Sequence, residues 1–226
     1  MLQCARLAAL LCCGAAVHGQ AVAGHFAVDD AALLEAGQCQ LDTWVEREGS
    51  ARALVHVGPT CRIGPVELGL NADRTQSSGQ KPATIVGAQI KWAAAIDERV
   101  SIGLVALTGW QGSAPRYAAA ALYVPLSVHV APSLWLHANG GRDWSAGAPA
   151  TSRAGLAVEW MALRDGTVIA ERFRQSGGNF ARLGARWQAG ATVSVELSRA
   201  HGVGSTSGAW WTLGVNWVLD AKQGLR

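Results

Sequence analysis

The chain has 226 residues, of which 50% are hydrophobic and only 15% are charged, and its formal net charge is +3. Outside the leader region, no uncharged apolar run is long enough to form a membrane-spanning helix, which argues against a helical membrane protein. The small net charge gives no basis for a nucleic-acid partner, and the length fits one domain.

Residues 1–23 predict a secretory signal peptide. Arg6 supplies the positive charge, and residues 7–17 form the apolar core. Small residues follow, with the Ala-Val-Ala stretch at 21–23 as the preferred cleavage site and Gly19 as an earlier candidate. We therefore expect an exported protein whose fold begins after this leader.

Export also decides how the cysteines are interpreted. Cys12 and Cys13 leave a lipid-anchored form open, although each follows a bulky residue or another cysteine where a small residue is required. After cleavage only Cys39 and Cys61 remain, and they enter an oxidising compartment.

Residues 24–37 differ in pattern from everything that follows, and we expect either a periplasmic lead-in or a small plug. Asp29 at the front and Gly37 at the back predict a short helix between them. His25 together with Asp29 and Asp30 leaves a metal site open, but a solvated helix cap is the preferred interpretation. We therefore predict no metal site and no cofactor.

Residues 38–220 alternate between apolar and polar positions. The alternation is clearest at 192–198, where Val and Leu exchange with Thr, Ser and Glu, and such a period of two predicts β-strands. Only the ninth stretch has no assigned facing, because Glu171 and Arg172 put a charge on each face. The predicted strands, given in chain order by their apolar faces, are Cys39–Val45, Ala53–Pro59, Val66–Ala72, Val86–Trp92, Val100–Ala106, Ala118–Val124, Leu134–Ala138, Leu156–Ala162, Thr167–Gln175, Ala181–Trp187, Val193–Leu197 and Trp211–Leu219.

Twelve antiparallel strands, an even number, predict an all-β, up-and-down transmembrane β-barrel over residues 38–220. Strands of about ten residues, tilted by about 40°, span an apolar band of about 25 Å. A water-soluble barrel or sandwich is the alternative, because it alternates too, with its apolar face inward. The length of the strands and the reliance of their apolar faces on Ala and Val favour the membrane barrel.

The predicted connections alternate between tight turns and longer loops that are rich in Gly, Ser and Pro, except that the first hairpin and the Ser176–Asn179 turn are also short. Outer-membrane barrels have short periplasmic turns and longer external loops, so this pattern places the end that carries the N-terminus in the periplasm. The predicted longer loops are Arg74–Pro82, Trp110–Pro115, Arg142–Ser152 and His201–Ser207.

Tryptophan occurs 10 times, against three Phe and two Tyr, and many of these residues stand near predicted strand ends. Amphipathic rings at such positions are typical of the aromatic girdles that lie at headgroup depth. The sequence therefore predicts a barrel in the bacterial outer membrane, in contact with its lipid. The residues assigned to the girdles are Trp44, Trp92, Trp110, Trp144, Trp187, Trp211 and Trp217.

The last strand resembles the closing-strand signal of bacterial outer-membrane barrels. Thr212, Gly214, Trp217 and Leu219 stand at the polar, glycine, aromatic and apolar positions of that signal. The resemblance implies recognition by the barrel-assembly machinery. The chain departs from the pattern because a tail at 221–226 follows, where such barrels usually end on an aromatic residue.

If the apolar faces meet lipid, the polar faces line a lumen. Arg182 and Arg186 are then expected to face carboxylates across it, which predicts a narrow, porin-like channel for small solutes with a charged lining. Alternatively, the same charges pair across the lumen and brace a structural barrel that is closed. The predicted lumen-lining residues are Glu159, Arg182, Arg186, Glu196, Lys91, His137, Asn139 and Asn216.

A lipid-modifying enzyme of the outer membrane is the remaining alternative. Ser127 and His129 lie two residues apart on one face, as a nucleophile and its base would. The sequence places no Asn or Asp beside them to orient the histidine. We therefore predict no enzymatic activity and no catalytic residue.

In the general pattern of its strands, the whole chain resembles the proteobacterial outer-membrane barrels grouped with the phenol-degradation-pathway (MetA-type) proteins. The resemblance implies a channel that passes small apolar solutes. It includes no catalytic or binding motif, so it assigns no functional residue.

Cys39 and Cys61 predict a disulfide within the first hairpin. Each lies 11 residues from Ser50, where the turn is expected, so the two stand opposite each other on one face. The Cβ atoms of such a pair lie about 4.5–5.5 Å apart, near the range that a disulfide accepts. A bulge at Pro59 would shift this register.

Overall fold

The computed structural model describes residues 25–112 and 116–220, so the predicted signal peptide at 1–23 and the tail at 221–226 lie outside the described residues. Each strand pairs antiparallel with its neighbours along the chain, and the last strand pairs with the first, which closes the sheet. The predicted twelve-stranded up-and-down barrel is confirmed. The strands are β1 (Gln38–Glu48), β2 (Arg52–Ile63), β3 (Val66–Ser77), β4 (Ala83–Ala95), β5 (Val100–Gln111), β6 (Tyr117–Ala131), β7 (Leu134–Ser145), β8 (Ala148–Leu163), β9 (Gly166–Gln175), β10 (Gly178–Gln188), β11 (Val193–Gly202) and β12 (Ala209–Asp220).

The wall of the barrel is inverted relative to a soluble protein. In β11 the Glu196 side chain is buried, whereas Leu197 beside it is 51% exposed. In β3 Glu67 is buried and Leu70 is 63% exposed. Polar side chains therefore point into the closed barrel and apolar ones point away from it, which makes the exterior an apolar band of the kind that meets lipid.

The ninth strand, whose facing the sequence leaves open, has a regular alternation. Ile169, Glu171 and Phe173 are buried, and Arg172 is exposed on the exterior. Glu171 can face inward because Arg182 of β10 stands opposite it in the register and neutralises it. The charge on each face thus reflects one paired and one exposed side chain.

We call the end of the barrel at which β1 begins the near end, and the opposite end the far end. Connections at the near end have two to four residues and those at the far end two to six, so the predicted asymmetry is small. The predicted loop at Arg142–Ser152 is wrong, since only residues 146–147 separate β7 from β8. An ion pair between Arg153 and Asp143, with N and O 2.7 Å apart, spans this extended hairpin on its inner face.

Of the seven tryptophans assigned to the girdles, six lie on the exterior of the barrel, in two groups. Trp110, Trp144 and Trp211 lie at the far end, and the near-end group includes Trp160, which the sequence analysis did not assign. Trp44 does not belong to a girdle, because it points into the lumen and stacks on His56 with ring centroids 3.4 Å apart. The near-end group consists of Trp92, Trp160, Trp187 and Trp217.

Residues 25–35, which we call the plug segment, run inside the barrel without regular secondary structure. The helix predicted between Asp29 and Gly37 is wrong. Gly37, with φ of 83°, instead makes the turn that leads into β1. No helix that could cross a membrane occurs among the described residues.

Candidate functional site

The plug segment stays extended because the wall supplies the acceptors that a helix would otherwise supply. The Glu171 carboxylate accepts hydrogen bonds from the backbone N–H groups of Ala27 (3.1 Å) and Val28 (2.9 Å). The Ser127 hydroxyl accepts one from Ala31 at 2.8 Å. The backbone N–H of Leu34 donates to Glu67. Buried backbone groups must be paired, and here strands distant in the sequence provide the partners.

Lys91 fixes the middle of the plug segment to the wall. Its ammonium nitrogen lies 3.0 Å from the Asp29 carboxylate and 2.9 Å from that of Asp30. Tyr123 donates to Asp29 at 3.2 Å. With its amide oriented to satisfy both groups, Asn139 bonds the carbonyl oxygen and the N–H of Asp29, at 2.9 and 2.7 Å.

Asp30 titrates differently from a free carboxyl. Burial by itself would raise its pKa, but the charge of Lys91 and the hydrogen bond from Lys91, with smaller contributions from His137 and the Ala32 N–H, together outweigh burial and hold the pKa below its ordinary value of 3.8. The ion pair is therefore intact at neutral pH.

A second cluster of charges lies where the plug segment begins. His25 is buried, with Nδ1 3.0 Å from Glu196 Oε2 and Nε2 2.6 Å from the Ser198 hydroxyl. Arg186 joins Glu196 (2.6 Å) to Glu159 (3.3 Å). This network ties β8, β10 and β11 to the first described residue of the plug segment.

Arg182 has a different partner from the one expected. From the sequence, Arg182 was expected beside Arg186 in a shared lining with Glu159 and Glu196. Its guanidinium instead lies 3.3 Å from Glu171. It also donates to the backbone carbonyl of His25. Arg182 therefore holds the plug segment both directly and through Glu171.

The structure places all eight predicted lumen residues on the inner face. Asn216 lies apart from the plug contacts, donating to Ser194 at 3.3 Å. The other seven are brought into the clusters just described or border the cavity beside them, namely Glu159, Arg182, Arg186, Glu196, Lys91, His137 and Asn139.

Between the plug segment and the far end lies a cavity of about 640 Å³, which we call the vestibule. One side is aromatic: Phe180 packs edge-on against Trp210, with centroids 5.1 Å apart, and the Arg182 guanidinium lies 5.7 Å from the same ring. On the opposite side His56 bonds Asp73 at 2.7 Å. The vestibule combines apolar surface with fixed polar groups, as small-molecule sites do.

The Ser–His pair suggested by the sequence is replaced by another. Ser127 Oγ lies 2.8 Å from Nδ1 of His137, which is opposite it on β7. His137 Nε2 lies 3.7 Å from the Glu159 carboxylate. His129 instead stacks on Trp135, with centroids 4.2 Å apart. The three groups form a serine–histidine–carboxylate line inside the lumen, where Ser127 also bonds the plug segment.

The residues of the closing-strand signal divide between the two faces of β12. Thr212 and Gly214 face the lumen and are buried, and Trp217 and Leu219 are 48% and 40% exposed on the exterior. Gly214 leaves room for His25, since a Cβ there would lie 3.3 Å from His25 Nδ1. The glycine thus has a packing role in the lumen.

Cys39 and Cys61 form a disulfide. They are register partners on β1 and β2, with no bulge at Pro59, so the predicted pairing is confirmed. The bond joins the two strands at the near end, next to the point where the plug segment meets β1.

Sequence reasoning missed two side-chain pairings that lie across turns. Glu171 stands opposite Arg182 across the turn at 176–177, and Ser127 stands opposite His137 across the turn at 132–133. Counting outward from the turn at 176–177 pairs Glu171 with Arg182. From the turn at 132–133 the same count is displaced by the bulge between His129 and Ala131, so the pairing of Ser127 with His137 also requires knowledge of that bulge.

Comparisons with known proteins give a family for the chain and solved structures with a similar fold. A protein-family model described as "Uncharacterised conserved protein UCP029691" matches residues 9–219. A search of curated proteins finds no match.

Among solved structures, the KdgM porin in complex with disordered oligogalacturonate is 10% identical, with a TM-score of 0.64 over 79% of this chain and 98% of that one. The COG4313 outer membrane channel from Pseudomonas putida F1 is 10% identical, with a TM-score of 0.66 over 84% and 98%. Outer membrane phospholipase A from Escherichia coli is 12% identical, with a TM-score of 0.52 over 86% and 94%. At these identities the likeness establishes the barrel fold alone.

Proposed function

The chain belongs to the family of uncharacterised conserved proteins whose model it matches over residues 9–219, and we propose that it is a bacterial outer-membrane barrel forming a narrow channel for small solutes. The observation that carries the proposal is the inverted wall, in which an apolar exterior between two tryptophan girdles surrounds a charged interior. In water this exterior would be exposed at a large free-energy cost, whereas in a bilayer it matches the lipid.

The near end faces the periplasm in this proposal. Its connections are the shorter set, as periplasmic turns are in outer-membrane barrels. The disulfide between Cys39 and Cys61 also lies at this end, in the oxidising compartment.

The vestibule is the solute-accepting part of the channel. Its volume of about 640 Å³ is within the range of small-molecule sites, which is about 300–1,000 Å³. Its lining of fixed charges and aromatic rings favours solutes that are small and partly polar. The likeness in fold to a porin and to an outer membrane channel supports this assignment. The resemblance to the phenol-degradation-pathway barrels, with its apolar solutes, stays a prediction.

The plug segment closes the near half of the lumen in the described state. This observation also favours the second candidate function, a structural barrel with a closed lumen. The two differ in whether the plug segment leaves the lumen, so the channel we propose is a gated one.

A lipid-modifying enzyme is the third candidate function. The observation in its favour is the line of serine, histidine and carboxylate formed by Ser127, His137 and Glu159. Two features weigh against it. Ser127 is buried in the lumen, away from the lipid-facing exterior, and its oxygen accepts the Ala31 N–H. Glu159 is shared with Arg186. We therefore propose that the line has a structural role and that the protein is not an enzyme.

Assembly is the remaining part of the proposal. Trp217 and Leu219 are exposed on the exterior of β12, where the barrel-assembly machinery would contact the closing strand. Gly214→Val and Trp217→Ser should lower the amount of heat-modifiable, membrane-inserted protein without changing export. Wild-type amounts in both variants would contradict this role.

The channel is tested by single-channel recording in planar bilayers with a panel of solutes. Wild-type protein should show low conductance with rare openings, and a variant lacking residues 25–35 should conduct steadily. Heat-modifiable migration on gels first establishes that each protein is folded and inserted. An inserted deletion variant that passes neither ions nor solutes would leave the closed structural barrel as the function.

A further inference from the structure

Six arginines lie on the exterior of the barrel near the far end, and we call them the arginine band. All are on odd-numbered strands, which run from the near end to the far end, and all fall in the last part of their strand. Every one of them is exposed. The band consists of Arg47, Arg74, Arg142, Arg172, Arg174 and Arg199.

The band lies level with the far-end tryptophans. Trp211 is the register partner of both Arg47 and Arg199, and the Arg199 guanidinium lies 5.1 Å from its ring centroid. Arg142 precedes Trp144 by two residues on β7, so both point outward. The guanidinium groups are therefore at the depth where an aromatic girdle meets lipid headgroups.

These arginines differ from those of the lumen in having no carboxylate partner. Arg153, Arg182 and Arg186 each form ion pairs inside the barrel. Across residues 25–112 and 116–220, no band arginine has a carboxylate oxygen within 4.0 Å. Among the side chains described there, the exterior face of the strands carries no Asp or Glu. The band is thus a zone of one sign of charge.

We propose that the arginine band binds the phosphate groups of a membrane lipid in the leaflet at the far end. A guanidinium presents a planar fork of donors that matches phosphate oxygens. An anionic lipid surface attracts a nearby arginine and stabilises the bound state, whereas a neutral lipid does not. The inference rests on the membrane location proposed above.

The spacing in the band fits a lipid that carries more than one phosphate. Arg172 and Arg174 are two residues apart on the same face of β9. Arg199 is on β11, with Ala181 and Leu183 of β10 between the two strands. Strands two apart in a sheet are about 10 Å from each other, so one headgroup with two phosphates can reach both strands. The partner is therefore a diphosphorylated lipid, with lipid A as the probe.

The test compares two double variants with the same change of charge. Arg172→Gln/Arg174→Gln removes two cations of the band, and Arg99→Gln/Arg164→Gln removes two exposed cations at the near end. Each protein is purified in neutral detergent and titrated with lipid A, and bound lipid is counted by native mass spectrometry. The band variant should bind about 25-fold more weakly than wild type, because each arginine near an anionic lipid contributes about fivefold.

The near-end variant should bind as the wild type does, and dephosphorylated lipid A should bind weakly to all three proteins. Equal binding by the two double variants, or equal binding of the dephosphorylated lipid, would overturn the proposal. Insertion into phosphatidylcholine vesicles is measured separately by heat-modifiable migration. Failure of the wild-type protein to insert would contradict the proposed membrane location. Insertion without a preference for phosphorylated lipid would contradict only the proposal that the arginine band binds phosphate.

Discussion

The near and far halves of the lumen carry the same kinds of charged side chain but use them differently. In the near half, Lys91 and Glu171 bind the plug segment. In the far half, wall charges bind each other, as Arg52 does with Glu46 at 2.9 Å, and the vestibule remains open. Charged lumen residues therefore do not by themselves indicate an open pore, because their partners decide whether the space is filled.

The two halves of the lumen also differ in the free-energy cost of losing a charge partner. A buried charge that loses its partner is costly, whereas a partly exposed one is rehydrated. Lys91 is almost fully buried, and the Arg52 side chain keeps 28% of its surface exposed. We therefore expect substitutions in the near half to release the plug segment and comparable substitutions in the far half to have small effects.

The largest effect is expected for Lys91→Met. The substitution leaves Asp29 and Asp30 without the cation that holds them, which should destabilise docking of the plug segment by about 3–5 kcal/mol. Hydrogen exchange of the backbone amides at 27–34 should accelerate by about 100-fold or more. Lys81→Met, in the exposed far-end connection, is the control. Unchanged protection in the Lys91 variant would show that the plug segment is held by other contacts.

Glu171→Gln compared with Glu46→Gln tests the two halves with the same chemical change. Glu171 accepts from two backbone N–H groups and pairs with Arg182, so its neutralisation should weaken plug docking by about 2–3 kcal/mol. Glu46 pairs with a partly exposed arginine, and its change should cost about 1 kcal/mol or less. Urea unfolding in lipid vesicles together with hydrogen exchange measures both. Equal effects at the two positions would remove the distinction between the halves.

A smaller difference in stability is expected when a methyl group is added at a glycine that contacts the plug segment and at one that does not. A Cβ at Gly155 would lie 2.5 Å from a methyl carbon of Val28, whereas at Gly140 it would meet nothing within 4 Å. Gly155→Ala should therefore push against the plug segment and cost about 1–3 kcal/mol, and Gly140→Ala should cost much less. Amide protection near Val28 reports the effect. If both alanines are tolerated equally, Val28 moves aside without loss and the near half is less tightly packed than its contacts indicate.

The wall could be predicted from the sequence because a period of two is local information. The strands, the even strand number and the Cys39–Cys61 register all follow from alternation and from the position of a turn. The alternation of inner and outer positions along a strand also corrects the one girdle residue that was misplaced. Trp44 alternates in phase with Asp42, so it belongs to the inner face, although it stands near a strand end.

The plug segment could not be predicted in the same way, because its conformation is set by distant partners. Glu171 is 144 residues from Ala27, and Ser127 is 96 residues from Ala31. Asp29 and Gly37 are common helix-boundary residues, and local propensity therefore favoured a helix. The acceptors on the wall outweighed that propensity, and they become visible only after the barrel has closed.

The smallest expected effect is the weakening of plug-segment docking at acidic pH. In the docked plug segment the pKa of Asp30 lies below 3.8, since Lys91, His137 and the Ala32 N–H together outweigh burial. After release the carboxyl returns towards that ordinary value. A carboxyl with a lowered pKa stabilises the docked state at pH values above 3.8, by about 1.4 kcal/mol for each unit by which its pKa is lowered. This stabilisation is lost as the pH falls from 3.8 through the lower pKa of the docked state. Amide protection at 27–34, corrected for intrinsic exchange, should therefore be constant between neutral pH and about pH 5 and fall below about pH 4. Asp30→Asn should reduce this acid response, and Asp143→Asn, whose carboxylate pairs with Arg153 at the far end, should retain it. An acid response that is the same in Asp30→Asn and in wild type would assign the titration to another group in the lumen.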